Sequence, residues 1–301
     1  HWTQNRCALS RRLWRALASL KGDLMNEMPR LKSRNVRDAI KEIENLDLAT
    51  CADAEIEESI GKLINGYQVR APIFREGLDI YRARLFAQKP GNISELGPPP
   101  TSLVTSYGRG NTVGESVFYS TNSKGVPFYE LKCSPGDRVV ISKWRTSPNL
   151  VLNHVGFTEE TKERLSSGRD LDDIYSFVRD TNNYSELNEM VHEYLGVLFS
   201  QPVLPEAQET TYRLTSAIAR KLTQGNVIHG VIYPTIQMSG NADNVLLKKA
   251  YFDNYVDFVH AEFIEVDQLN SARYSGTVLD SVSSINETGT LVWAPSSLGA
   301  C

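Results

Sequence analysis

The feature that most constrains this chain is a change of hydrophobic period near residue 78. Before it, apolar residues recur at helical spacing: Leu9, Leu13, Leu17 and Leu20, then Val36, Ile40 and Ile43, then Ile56, Ile60, Leu63 and Ile64. Each set makes one apolar stripe that needs a partner surface to cover it. Asp53 and Glu55 suit the start of the third of these helices, where the helix dipole favours acid. After residue 78, short runs rich in β-branched and aromatic residues take over. Strands are expected at Ile80-Tyr81, 116–119, 139–144, 150–152, 227–233, 244–247 and 258–266. Helical patterns at 158–161, 171–178, 186–199 and 212–222 interleave with them. Alternating strands and helices predict a mixed α+β fold.

Three regions follow: a small all-helical start over residues 1–75, an α+β domain over 76–268, and a C-terminal extension over 269–301. The extension is rich in Ser, Thr and Gly and shows little periodicity, so it reads as peripheral or loosely ordered. Pro90-Gly91 and Gly97-Pro98-Pro99-Pro100 mark a long loop that cannot be helical.

Composition removes several classes of function. No run approaches the roughly 18 apolar residues of a membrane span. Residues 1–50 hold ten Lys and Arg against six Asp and Glu, whereas the remainder holds 22 against 30. An acidic main body argues against broad nucleic-acid binding. The basic start reads as a solvated helix face, or as a surface for an acidic partner. Cys7, Cys51, Cys133 and Cys301 share no C-x-x-C spacing, so neither a disulfide framework nor a zinc site is expected. A reducing cytoplasm fits best. The start at His1, without an initiator Met or an apolar leader, reads as a trimmed or partial chain. Acceptor-type triplets at Asn92, Asn183 and Asn286 read as chance matches.

The residues able to carry chemistry lie in the middle. Tyr81-Arg82-Ala83-Arg84 supplies two guanidiniums, and Gly108-Arg109-Gly110-Asn111 places a third on a turn. Phe118-Tyr119-Ser120 follows, then Glu130. Gly230-Val231-Ile232-Tyr233-Pro234-Thr235 and Asn244-Val245-Leu246-Leu247 come much later. Planar guanidinium forks suit a pyrophosphate better than lysine does. A tyrosine ring can face a flat heterocycle, and one carboxylate can stabilise positive charge developing on a sugar. Taken alone, each residue has an ordinary reading: a surface ion pair for Arg84, core packing for Tyr119, a solvated acid for Glu130. The ensemble is what points to a dinucleotide.

In this order and spacing, the segments from about 79 to 266 resemble the RES domain family. These are bacterial proteins best known as NAD-consuming toxins of toxin–antitoxin pairs. The resemblance implies an ADP-ribosyltransferase-like fold, two small sheets around a cleft, with helical insertions. It implies NAD as substrate, no metal, and cleavage of the nicotinamide–ribose bond. Arg82 resembles the first signature arginine, with Arg84 beside it, and Arg109 resembles the arginine of the family's Gly-Arg-x-Asn turn, which includes Asn111. Tyr119 is similar to the active-site tyrosine and Glu130 to the signature glutamate. Thr235 stands where the family has serine, keeping the hydroxyl and adding a methyl, and Asn244 lies where it could assist. Catalysis is thereby expected from Glu130, Tyr119 and Arg82. NAD binding is expected from Arg82, Arg84, Arg109, Asn111, Tyr119, Thr235 and Asn244.

The acceptor stays open among water, phosphate and a protein side chain. So does a non-catalytic module that binds a nucleotide or a partner. The resemblance also implies a neutralising antitoxin as a possible partner. Other signals fail: His192-Glu193-Tyr194-Leu195-Gly196 lacks the second histidine of a metalloprotease helix, and no G-x-G-x-x-G, G-x-S-x-G or phosphate-loop motif occurs.

Overall fold

A computed structural model describes residues 29–170, 185–270 and 274–295. The expected helix around Leu9–Leu20, the pattern at 171–178, Asn183, Cys7 and Cys301 lie outside the described residues.

Helix α1 (Ser33–Glu44) buries Val36, Ala39 and Ile43, and α2 (Asp53–Ile64) buries Ile56, Ile60 and Leu63, the expected stripes. The start of α2 is closed by Glu55, whose carboxylate accepts from the Ala52 amide at 3.3 Å. Both stripes pack on α5 (Glu186–Ser200) and α6 (Gln208–Leu222). The helical start does not stand apart. Its buried residues share one cluster with Val117, Val231 and Leu246, which belong to strands.

Those strands form a ten-stranded sheet ordered β1-β5-β6-β7-β3-β2-β4-β8-β9-β10. They span Ile73–Phe74 (β1), Asp79–Leu85 (β2), Val117–Thr121 (β3), Arg138–Thr146 (β4), Leu150–His154 (β5), Gly230–Pro234 (β6), Asp243–Lys248 (β7), Val256–Leu269 (β8), Tyr274–Ile285 (β9) and Leu291–Pro295 (β10). Only β5 and β6 pair in parallel; every other pair is antiparallel. The fold is therefore α+β, as the interleaved pattern predicts.

The sheet is nearly cut in two. β2 pairs with β4 along its whole length, from Asp79↔Arg145 to Leu85↔Val139, but with β3 only at Tyr81↔Thr121. One half is thus β1, β5, β6, β7 and β3, and the other β2, β4, β8, β9 and β10. On the inner side the halves share one core, in which Phe118 and Leu247 meet Ile80, Trp144 and Phe263. Helix α7 (Lys249–Tyr255) adds Phe252, whose ring packs 4.4 Å from that of Phe118. Outside, each half has its own cover. The four long helices cover the first, while α3 (Val126–Glu130) covers Ala83, Val139 and Ile264 of the second. Alternation along β3 shows the two sides: Val117 and Tyr119 face the helices and Phe118 the shared core.

Two expectations are corrected. The segment after residue 269 is not a loose tail, because β9 and β10 extend the sheet and bury Val278, Val282 and Leu291. A strand with one wet face needs an apolar residue only at alternate positions, so Ser and Thr fill the rest. Trp293 also donates to the Pro90 carbonyl at 2.9 Å and ties β10 to the proline-rich loop. That loop, expected to hold no helix, contains short helical turns. Single 3-10 turns at Ile93–Glu95 and Thr101–Leu103 flank its three prolines, the first capped by Asn92. Among the described residues, no helix is long and apolar enough to cross a membrane.

Candidate active site

Where β2 and β3 part, a cleft of about 560 Å³ opens between the long helices and α3. Arg82, Arg109, Tyr119, Glu130 and Asn244 all line it, joined by Lys132 and by Tyr81, Tyr212 and Tyr233. Three cations and one acid leave the lining net positive, which suits an anionic ligand.

Glu130 is exposed at the end of α3, a five-residue helix started by Gly125 and Pro127. Lys132, two residues on, turns the chain with φ of 52° and stops the helix. The carboxylate is held at one oxygen. Oε1 accepts from Thr235 Oγ1 at 2.5 Å and from Asn244 Nδ2 at 2.9 Å. No hydrogen bond among the described residues occupies Oε2. Thr235 is fully buried and Asn244 starts the β7 pairing with Thr121, so both donors sit on rigid backbone of the first half-sheet. The acid itself comes from the second half. Neutral donors orient the carboxylate without cancelling its charge, and among the described residues no cation is paired with it.

Arg82 is the bridge in the other direction. Continuing the β2–β3 register would pair Ala83 with Tyr119, but the strands have separated there. The Arg82 Nη1 donates instead to the Tyr119 carbonyl at 2.9 Å, satisfying a group the ladder abandons. Its plane lies over the Phe118 ring at 5.2 Å, and Nε is buried with no hydrogen-bond partner. Burial, and secondarily the Arg84 charge, push its pKa down to about 9. No carboxylate among the described residues pairs with it. A half-buried, carboxylate-free guanidinium whose Nε is buried in a cleft is costly unless an anion completes it.

The Gly-Arg-Gly-Asn turn is folded on Tyr119. The phenol donates to Asn111 Oδ1 at 2.9 Å and accepts from the Gly110 amide at 2.8 Å. Burial raises its pKa well above the ordinary phenol value, so the hydroxyl keeps its proton. A Cβ on Gly108 would lie 2.3 Å from Asn111 Oδ1, and one on Gly110 would lie 2.1 Å from Leu246. The glycines thus leave room for the protein atoms that pack on the turn. Arg109 donates to the carbonyls of Phe199 and Gln201 at the end of α5 and lies over the Tyr212 ring at 5.5 Å. Its guanidinium lines the cleft while neutralising a helix C-terminus.

Three expected ligand contacts fall elsewhere. Arg84 does not line the cleft; it donates to the carbonyls of Glu95 and Gly97 and fastens the proline-rich loop. Asn111 is buried inside its turn, where its amide also bonds the Thr112 carbonyl at 3.0 Å. Thr235 lies behind Glu130 and reaches the cleft only through it. Sequence reasoning missed Lys132 and Tyr212. Tyr81 and Tyr233 stood inside the quoted motifs, beside Arg82 and just before Pro234-Thr235, and are the two those patterns could have flagged. Among the described residues, no group of three or more His, Cys, Asp and Glu could hold a metal.

No family matches the chain, and no curated protein does. Among solved structures the chain is similar to the crystal structure of the M. tuberculosis MbcT–MbcA toxin–antitoxin complex. Identity is 12%, over 69% of this chain and 91% of that one, with a TM-score of 0.35. So distant a likeness leaves the reading of the cleft to its own geometry.

Proposed function

We propose that this chain consumes NAD by breaking its nicotinamide–ribose bond, on an ADP-ribosyltransferase-like core of the RES type. The observation that carries the reading is the meeting of two half-sheets at one cleft. One half delivers a carboxylate that the other half orients, and a half-buried guanidinium with no acid partner among the described residues lies beside them. The chemistry needs little more. As the bond from ribose C1′ to the nicotinamide nitrogen breaks, its electron pair leaves with nicotinamide, which becomes neutral. Positive charge grows on C1′ and the ring oxygen. Glu130 Oε2 stabilises that charge and bonds a ribose hydroxyl. Arg82, Lys132 and the exposed part of Arg109 hold the pyrophosphate, and a tyrosine wall faces the flat rings. Water then adds to C1′ and releases a proton; phosphate or a protein nucleophile would enter the same way.

The toxin role, with depletion of cellular NAD and a neutralising protein partner, belongs to the same proposal. Glu130→Gln is the decisive variant, since the amide keeps shape and removes charge. Nicotinamide release should fall about 10³-fold while NAD still binds, on the scale of losing one transition-state electrostatic contact. Equal release by both proteins would sink the enzymatic reading, and NAD that binds but persists in both would leave a binding module.

A further inference from the structure

The turn carrying Arg109 is fastened from outside the cleft. Tyr107, just before it, donates its hydroxyl to Asp53 Oδ2 at 2.5 Å. Asp53 opens α2, and its Oδ1 accepts from Arg213 Nε at 2.8 Å and Nη2 at 2.6 Å. The same guanidinium donates to the carbonyls of Leu48 at 2.5 Å and Cys51 at 2.6 Å. Arg213 follows Tyr212 on α6, and Tyr212 is the ring beneath Arg109. The turn is therefore tied to α6 twice, through Tyr107–Asp53–Arg213 and through Arg109–Tyr212. Tyr107, and secondarily Arg213, hold the Asp53 carboxyl below its usual range, which keeps the acceptor charged at neutral pH. Neither Tyr107 nor Asp53 lines the cleft.

We infer that Tyr107 and Asp53 are positioning residues, through which the N-terminal helices set where Arg109 presents its charge to the nucleotide. The inference rests on the NAD reading for its ligand, but the fastening itself does not. A single tyrosine–carboxylate bond fixes one flank of the turn, and the backbone pairing of Gly108 with Asn111 at the next position passes that restraint on to Arg109 between them. Without the bond, the turn keeps only the Arg109 contacts to the end of α5 and the Tyr119 bonds to Gly110 and Asn111, so residues 105–108 can shift and carry the Arg109 backbone with them.

The test compares the full chain with Tyr107→Phe and Asp53→Asn. In Tyr107→Phe, the KM for NAD should rise about five- to tenfold with kcat within twofold, the scale of the net worth of one intramolecular hydrogen bond. Asp53→Asn keeps an acceptor and loses charge, so its KM should rise about two- to threefold. Amide exchange over residues 105–111 should quicken in both without ligand, while exchange in the β4–β8 ladder stays unchanged. A fall in kcat with constant KM, or unaltered exchange at the turn, would overturn the inference. If exchange quickens in a protein that never consumes NAD, the functional reading fails and the fastening stands.

Discussion

The two halves of the sheet are built on opposite terms. In the half running from β1 to β3, both faces are covered, and all five residues of β6 are buried. The half running from β2 to β10 is a run of antiparallel strands with a wet outer face beyond the small patch under α3. There β8 starts with alternate exposed and half-buried positions. The first half holds its polar groups by burial. His154 and His192 are enclosed in it, and burial lowers their pKa values to about 4 and about 3. The second half holds its charges at the surface in cross-strand pairs, such as Arg138 with Glu265 and Lys143 with Asp79. The cleft draws one kind of residue from each. Rigid neutral donors come from the enclosed half, and the acid they orient comes from a short helix on the open one.

The contrast can be broken most forcefully at the core the halves share. Phe118 is fully buried against Trp144 and Phe252. Phe118→Ala should cost about 3–5 kcal/mol in denaturant unfolding, and both halves should lose structure in one transition. Two separate transitions would mean the halves are independent.

Acid should then distinguish them. A histidine whose folded pKa lies below 6.5 binds its proton more readily when unfolded, so stability rises with pH between the two values. Stability should therefore fall as pH drops below about 6.5, by about 2 kcal/mol per histidine at pH 5. His192→Gln should remove about half of this histidine-linked loss, and amide exchange should quicken first around β5 and α5. Acid loss centred on β8 and β9 would reverse the assignment.

The smallest effect sharpens the picture of the site. Thr235→Ser keeps the hydroxyl that reaches Glu130, so turnover should stay within about threefold and stability should fall by about 1 kcal/mol for the lost buried methyl. A large loss of turnover would mean the methyl itself holds the hydroxyl in place.

Legibility in the sequence followed apolar content, which reached into both halves: 139–144 and 258–266 fall on β4 and β8. Strands of the enclosed half are short apolar runs, so 116–119, 150–152 and 244–247 were readable almost to the residue. β9 and β10 were not, because Ser, Thr and Gly on a wet strand look like those of a loop. Within the site, Arg82, Arg109, Tyr119, Glu130 and Asn244 share a cleft that their spacing in the chain does not itself specify. Arg84 has the same local pattern as Arg82, two positions away on the same strand. What separates them is whether β3 or the proline-rich loop lies opposite, and that is a tertiary fact. Tyr212 and Lys132 gave no signal, since a helix tyrosine and a turn lysine are ordinary features of a surface.

The single Tyr81↔Thr121 register has a consequence for how the molecule accommodates guests. A continuous ladder would fix the gap between the cleft walls as firmly as any strand spacing. Here the walls are joined by one backbone seam, by the Arg82 contact to the Tyr119 carbonyl, and by the bonds of Thr235 and Asn244 to Glu130. The width of the opening is therefore set by a few side-chain contacts across the seam and not by a ladder of strand spacing.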